Sequence, residues 1–424
     1  MVNQDDLENV EKYDILLTNR FTVDSNKKFI YEHMKSTNDK STTYLYQLGP
    51  ETNINQDRYN IKYLNTIGRY TFLKKYHAHL FLTNSYANDI INPSYPNSVL
   101  MKFGSNEYQN IWVNATLNDI YPQPWKADGI FIDNCSVATQ ITGKTPIGTD
   151  YPPDPSYANA DSWNISMNQF INTVTAALQE KGQKVFVNRG STRYRDGYTA
   201  WIALDQSATP PDLVLEEGAF SVRWGKNDVQ FYREDEWRRQ VDIVGQIKNS
   251  EVGLLSHTKL SPDQPNGKDN FGKPASFWQV LWYSMCSYHL ARRDEPNNSY
   301  FMFGSTGYKT AWWFDEYDKI NLGKALGTYK TQAIAGTTIY YREFEQGYVL
   351  VNPTTTDIQS FQLPQSCVER THNNLTTDAS KLSVISTIAI PSHHGVICQK
   401  LLTTGRIKED RSLLQMPPAA ETYK

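Results

Sequence analysis

The sequence predicts an α/β fold: a (β/α)8 TIM barrel followed by a small antiparallel β-sandwich. Three observations carry this expectation. Short apolar runs alternate with amphipathic helical patterns from the N-terminus to about residue 330, as in a barrel wound from repeated strand–helix units. Beyond Thr331 the helical stripes stop, and strand-like runs follow one another across turn residues. The 424 residues also exceed the roughly 250 that a plain barrel needs, which leaves room for long loops and an appendix. The expected boundaries are 1–330 for the barrel, 331–402 for the sandwich and 403–424 for a polar, extended tail.

Taken in order, the candidate barrel strands are 13–17, 43–48, 79–83, 129–132, 184–187, 213–215, 252–255 and 300–303. The helices between them are clearest in the second half. Trp163, Met167, Phe170, Ile171, Val174 and Leu178 form one apolar stripe, and Gly182 stands where a left-handed residue ends a helix. Trp237, Val241, Val244 and Ile247 repeat the pattern. Phe277, Trp278, Leu281, Trp282, Met285 and Tyr288 repeat it again, opened by Pro274 and closed near Arg292 and Arg293. Polar insertions at 91–97 and 139–160 read as loops of a cleft rim. In the C-terminal part, 338–341, 347–351, 358–363, 384–390 and 396–401 read as strands.

Composition removes several functional classes. Lys plus Arg number 42 against 45 Asp plus Glu, a net charge of −3, so no broad cationic field is present to hold nucleic acid. Apolar content of 39% and charge of 21% exclude a disordered chain. No apolar run approaches the roughly 20 residues of a membrane span. The first residues lack the basic and apolar regions of a signal peptide, as in a cytoplasmic protein, a mature form after cleavage or a virion component; the expected location is extracellular or on a cell or virion surface. The four cysteines are too scattered for a disulfide framework or a zinc motif, with only Cys367 and Cys398 placed to pair. No metal site, nucleotide fingerprint or cofactor is implied, and no oligomeric state is specified. The 27 Tyr, 17 Phe and 10 Trp make 13% of the chain, supplying flat apolar faces with polar edges, which pack cores and also suit sugar rings.

The chemistry centres on two related segments. In Asp128-Gly129-Ile130-Phe131-Ile132-Asp133-Asn134 an Asp opens an apolar strand and an acid follows five residues on; Asp212-Leu213-Val214-Leu215-Glu216-Glu217 repeats the offset. On the expected fourth and sixth strands, Asp133 and Glu217 would share the C-terminal rim of the barrel, where active sites lie. Two carboxylates on one rim are what glycosidic cleavage requires: one to donate a proton, the other to act as nucleophile or base. Strand alternation makes Glu216 the rival of Glu217. Apolar neighbours Leu215, Ala219 and Phe220 suit Glu217 to the acid role, and Asp133, beside Asn134, to nucleophile or base. Asn134, Asn19, Gln47, Asn84, Asn188, Arg189 and His257 follow candidate strands and could bind hydroxyls. Trp224 and Tyr151 could stack on sugars from loops, and Trp163 is either a core residue or a further platform.

The Asp-Gly-Ile-Phe-Ile-Asp-Asn run, the later strand ending in Glu and the C-terminal segments 341–353 and 390–397 together resemble the glycoside-hydrolase-like (β/α)8 proteins of hypothetical glycosyl hydrolase family 15. The resemblance spans roughly residues 10–402. It implies a barrel, an accessory β-domain, and a matching of Asp133 and Glu217 to the two barrel carboxylates. The expected function is cleavage of O-glycosidic bonds in a poly- or oligosaccharide, with retention slightly favoured. The alternative is a non-catalytic carbohydrate-binding or structural surface or virion protein on the same barrel.

Overall fold

Strand and helix boundaries follow the hydrophobic pattern closely in the computed structural model, which describes residues 8–18, 35–38, 40–54, 62–63, 67–84, 86–92, 95–120, 127–137, 154–294, 298–305, 312–334, 336–375 and 382–400. Asn19, Tyr151, most of the 139–160 insertion and the 403–424 tail lie outside these residues. Seven strands form one sheet: β1 (Ile15–Thr18), β2 (Thr42–Leu48), β3 (Gly129–Asp133), β4 (Lys184–Asn188), β5 (Leu213–Glu217), β6 (Glu251–Thr258) and β7 (Ser299–Ser305). Each strand's sequence neighbour is its neighbour in the sheet, and β1 to β5 pair in parallel. Helices α1 (Arg69–Tyr76) and α2 (Asn106–Ile120) separate β2 from β3. Then α3 (Ala160–Glu180), α4 (Arg195–Asp205), α5 (Glu234–Gln246) and α6 (Phe277–Ala291) each fall between successive strands. This sequential winding of parallel strands and helices is the barrel class expected.

The third expected strand is different. Residues Ala78–Leu80 form a 3-10 turn, and Phe81 and Thr83 make only isolated bridges, with Met101 and Asp89. Accordingly β2 pairs directly with β3, from Tyr44 opposite Gly129 to Leu48 opposite Asp133, and the sheet has seven strands among the described residues. The apolar run finds its partners locally: Leu82 N–H donates to the Leu100 carbonyl, and Leu80, Phe81 and Leu82 are buried. A short buried run carries no information about which backbone it will pair with.

The chain falls into two compact units, Met1–Glu217 with Gln246–Gly253, and Gly218–Gly245 with Leu254–Lys424. In the first, the repeated Asp at each strand start has a structural job. Asp128 accepts hydrogen bonds from Thr43 N (2.8 Å) and Thr43 Oγ1 (2.7 Å) and pairs with Lys35 (2.7 Å); Asp212 accepts from Val185 N (2.8 Å) and Gln179 Nε2 (3.1 Å). Each pins the backbone N–H of the second residue in the strand beside its own. Gly129 is required there because a Cβ would collide with the Lys184 carbonyl. The stripe from Trp163 to Leu178 is fully buried on α3, so Trp163 belongs to the core. The helix opens on a capping box between Asn159 and Ser162 and is followed by Gly182 at φ 74°.

In the second unit, α6 starts at Phe277 rather than at Pro274. Ser276 is its N-cap in a capping box with Gln279, while Pro274–Ser276 pairs with Asn266–Lys268 as a hairpin. The β-domain holds β8 (Lys330–Ile334), β9 (Thr337–Phe344), β10 (Gly347–Asn352), β11 (Ile358–Arg370), β12 (Val384–Ile390) and β13 (His394–Gln399), antiparallel in the order β8-β9-β10-β13-β11-β12. Its core gathers Ile339, Leu350, Phe361, Ile390 and Val396. Cys367 and Cys398 lie in that core as free thiols, not as a disulfide, and Cys135 and Cys286 are free and buried as well. Cys398 stands opposite Glu369 across the β11–β13 register, and its thiol is in hydrogen-bond contact with that of Cys367. No helix among the described residues is long and apolar enough to cross a membrane.

Candidate active site

The C-terminal ends of β3, β4 and β5 lie side by side, because Ile132 faces Val187 and Asn188 faces Leu215 in the parallel registers. Asp133, Asn188 and Glu217 therefore end three neighbouring strands. Asn188 Nδ2 donates to Asp133 Oδ1 at 2.8 Å and to Glu217 Oε2 at 2.6 Å. Those two oxygens can thus be separated by no more than 2.8 plus 2.6, or 5.4 Å. The other Asp133 oxygen accepts from the Tyr46 hydroxyl at 2.5 Å. Burial, reinforced by the Asp133 charge, pushes the Tyr46 phenol far up, so it remains a proton donor to that carboxylate.

Glu216 points the other way. Its carboxylate is buried and accepts from Ser191 N (3.1 Å), Thr192 N (2.7 Å) and Thr192 Oγ1 (2.5 Å). Desolvation pushes its pKa up against those bonds. It braces the β4–α4 turn from the face opposite Glu217, as alternation along β5 dictates.

Left-handed residues release the chain just beyond each of these strands: Asn134 at φ 61°, Gly190 at φ 52° with Ser191 at φ 68°, and Gly218 at φ 86°. Asn tolerates this conformation better than most side chains, and Asn134 is held in it by donating from Nδ2 to Glu51 Oε2 at 3.2 Å. Glu51, fully buried on the short strand Glu51–Asn53, also accepts from Asn92 Nδ2 at 2.6 Å. Desolvation raises its pKa to about 7, with the Asp133 charge adding and the Asn92 and Asn134 bonds opposing. Glu51 is the rim residue that sequence reasoning missed. Its only signal was an acid directly after the turn Gly49-Pro50 that ends β2.

The other candidates have separate places. Gln47 is buried within β2. Arg189 does not line an open cleft: it is fully buried, and its guanidinium donates to the Cys135 carbonyl (2.7 Å) and Asn164 Oδ1 (3.2 Å). Asn84 closes a turn, its Oδ1 accepting from Tyr86 N and Asn88 N, because the run before it is not a barrel strand. In the second unit, His257 ends β6 and accepts from Arg223 N through Nδ1 at 2.9 Å; burial, with the Arg223 charge, pulls its pKa down to about 3. Trp224 packs edge-on against it and remains 48% exposed. No cluster among the described residues could hold a metal ion.

Sequentially wound parallel strands, carboxylates at their C-terminal ends and a C-terminal β-domain make this a glycoside-hydrolase-like barrel. The chain belongs to hypothetical glycosyl hydrolase family 15, whose profile matches residues 35–348. Among solved structures it is similar to the trehalulose synthase MutB from Pseudomonas mesoacidophila MX-45, at 9% identity and a TM-score of 0.50, over 93% of each chain. It is also similar to an α-amylase from Lactobacillus plantarum, at 7% identity and a TM-score of 0.46 over 93% of each chain. A third is the maltogenic α-amylase AmyB from Thermotoga neapolitana, at 10% identity and 0.44, over 94% of this chain and 93% of that one. At such identities the likeness is one of fold. No curated protein matches the sequence.

Proposed function

We propose that the protein is a retaining glycoside hydrolase acting on a poly- or oligosaccharide, with Asp133 as nucleophile and Glu217 as acid and then base. The observation that carries this is the shared donor, Asn188 Nδ2, which keeps the facing carboxylate oxygens within 5.4 Å. Retaining pairs stand about 5–5.5 Å apart, whereas inverting pairs need roughly 6.5–9.5 Å to admit a water between acid and base. In the first step Glu217 gives its proton to the glycosidic oxygen as that bond breaks. An Asp133 oxygen forms the new bond to the anomeric carbon, and the leaving sugar departs as an alcohol. In the second step Glu217 takes a proton from water, the water oxygen replaces Asp133 on the anomeric carbon, and the carboxylate is freed. Tyr46 and Asn188 position Asp133 by donating to its two oxygens.

The test is new reducing ends across a panel of polysaccharides, with the wild type beside Asp133→Asn and Glu217→Gln. Product from the wild type, a loss of at least about 10³-fold in either variant, and an initial product of unchanged anomeric configuration are the expected results. Inverted product would overturn the retaining assignment. Saccharide binding without product from any substrate would favour the non-catalytic alternative on this barrel.

A further inference from the structure

The second unit carries a cleft of about 530 Å³ that shares no residue with the carboxylate rim. Its size falls within the roughly 300–1,000 Å³ of small-ligand sites. Its walls bring together Trp278 of α6, Trp312, Trp313, Phe314 and His372. The His372 ring lies stacked on the Trp278 indole, 18° from parallel. The buried Glu316 fixes that imidazole through Nδ1 at 3.1 Å. Trp312 Nε1 donates to the Ser305 carbonyl (3.2 Å), and Trp313 Nε1 to Asp318 Oδ2 (2.8 Å). With these N–H groups engaged by the protein, the two indoles offer the cleft carbon surface.

Both acids of the wall are engaged by the protein: Asp315 is paired with Lys319 at 2.5 Å, and Glu316 meets His372 Nδ1 at 3.1 Å. An anionic ligand would find no unmatched cation here, and a compact ammonium group would fill only a fraction of the space. Several flat aromatic faces, an exposed amide at Asn373 and acids already engaged by the protein suit a long, neutral molecule with apolar C–H faces and hydroxyl edges. We infer that this cleft is a second, non-catalytic binding site for a neutral oligosaccharide, stacked on the Trp312 and Trp313 side of the wall. The inference stands apart from hydrolysis at Asp133 and Glu217, because none of its residues takes part there.

The full-length protein would be run in native gels containing starch, xylan, glucomannan or mixed-linkage β-glucan. Trp312 and Trp313 would separately be oxidised with N-bromosuccinimide, with and without oligosaccharides of the same four types, and mapped by mass spectrometry. At least one polysaccharide should retard the wild type, and its oligosaccharide should protect both tryptophans. Trp312→Ala/Trp313→Ala should weaken that binding at least tenfold and leave hydrolysis of a short aryl glycoside unchanged, while Asp133→Asn should keep the cleft binding. If the double variant folds poorly, the exposed Asn373→Ala, expected to weaken binding severalfold, and the protection experiment on the unaltered chain both still decide. Absence of protection by all four probes, or undiminished binding in the double variant, would each overturn the proposal.

Discussion

At the scale of single residues, the rim is governed by one amide shared between two acids. Replacing Asn188 by Asp exchanges the common donor for a third carboxylate beside Asp133 and Glu217. Asn188→Asp should therefore lower stability by about 1–3 kcal/mol at pH 8. The loss should shrink near pH 4, where the added group is protonated; melting temperatures at the two pH values check this. Glu51 makes a second prediction. Its pKa is raised from 4.5 to about 7 in the fold, so the folded state binds more protons than the unfolded one between those values. The stability linked to Glu51 is then fully present below about pH 4.5 and is lost as the pH rises through about 7. At 1.36 kcal/mol per unit the loss is at most about 3.4 kcal/mol. Asp14, raised to about 6 by burial and then by Glu251, acts in the same sense. Glu51→Gln should flatten the fall in melting temperature between pH 4.5 and 7.5 without abolishing it, since Asp14 remains.

At the scale of elements, the two acidic strands are built alike: an Asp that ties down the adjacent strand's backbone, an apolar centre, then a carboxylate before a left-handed residue. The five-residue offset seen in the sequence thus reflects two functions on one strand, a clamp at one end and a rim group at the other. The seam between β3 and β4 depends on the missing side chain of Gly129. Gly129→Ala sets a methyl against a backbone carbonyl that cannot swing aside, and it should destabilise the protein by about 3 kcal/mol. A denaturant midpoint near that of the wild type would show that the seam can open at little cost. The expected strand at 79–83 failed for the complementary reason. Its apolar residues are buried as the pattern requires, but within the excursion between β2 and β3.

At the scale of the whole molecule, the compact units do not follow the chain order that composition suggests. Residues Gln246–Gly253 return to the first unit, and the β-domain shares the second with α5, α6 and β7. Helix α6 is buried along nearly its whole length, and Gly395 of β13 approaches Trp282 and Cys286 so closely that a Cβ would meet both. The change of texture at residue 331 therefore marks a change of architecture and not an independently stable piece. A chain ending at residue 329 would uncover the apolar surface of α6 that faces β13, and it should be recovered aggregated by size-exclusion chromatography. A monodisperse, folded product would show the β-domain to be dispensable.

The sequence by itself determined the elements and their class, because helical and strand periodicities are local properties of the chain. The stripe from Trp163 to Leu178 with its Gly182 stop, the strands carrying Asp133 and Glu217, and the all-β texture after Thr331 were all legible in this way. What depends on partners distant in the chain was not legible. Glu51 and Asn134 are 83 residues apart, and Asn188 and Asp133 are 55 apart. The buried guanidinium of Arg189, the free thiols of Cys367 and Cys398, and the choice of β3 as the neighbour of β2 are of the same kind. Alternation on β5 limited the second acid to Glu216 or Glu217. Only the packed rim, with Thr192 on one face and Asn188 on the other, decided which carboxylate meets Asp133.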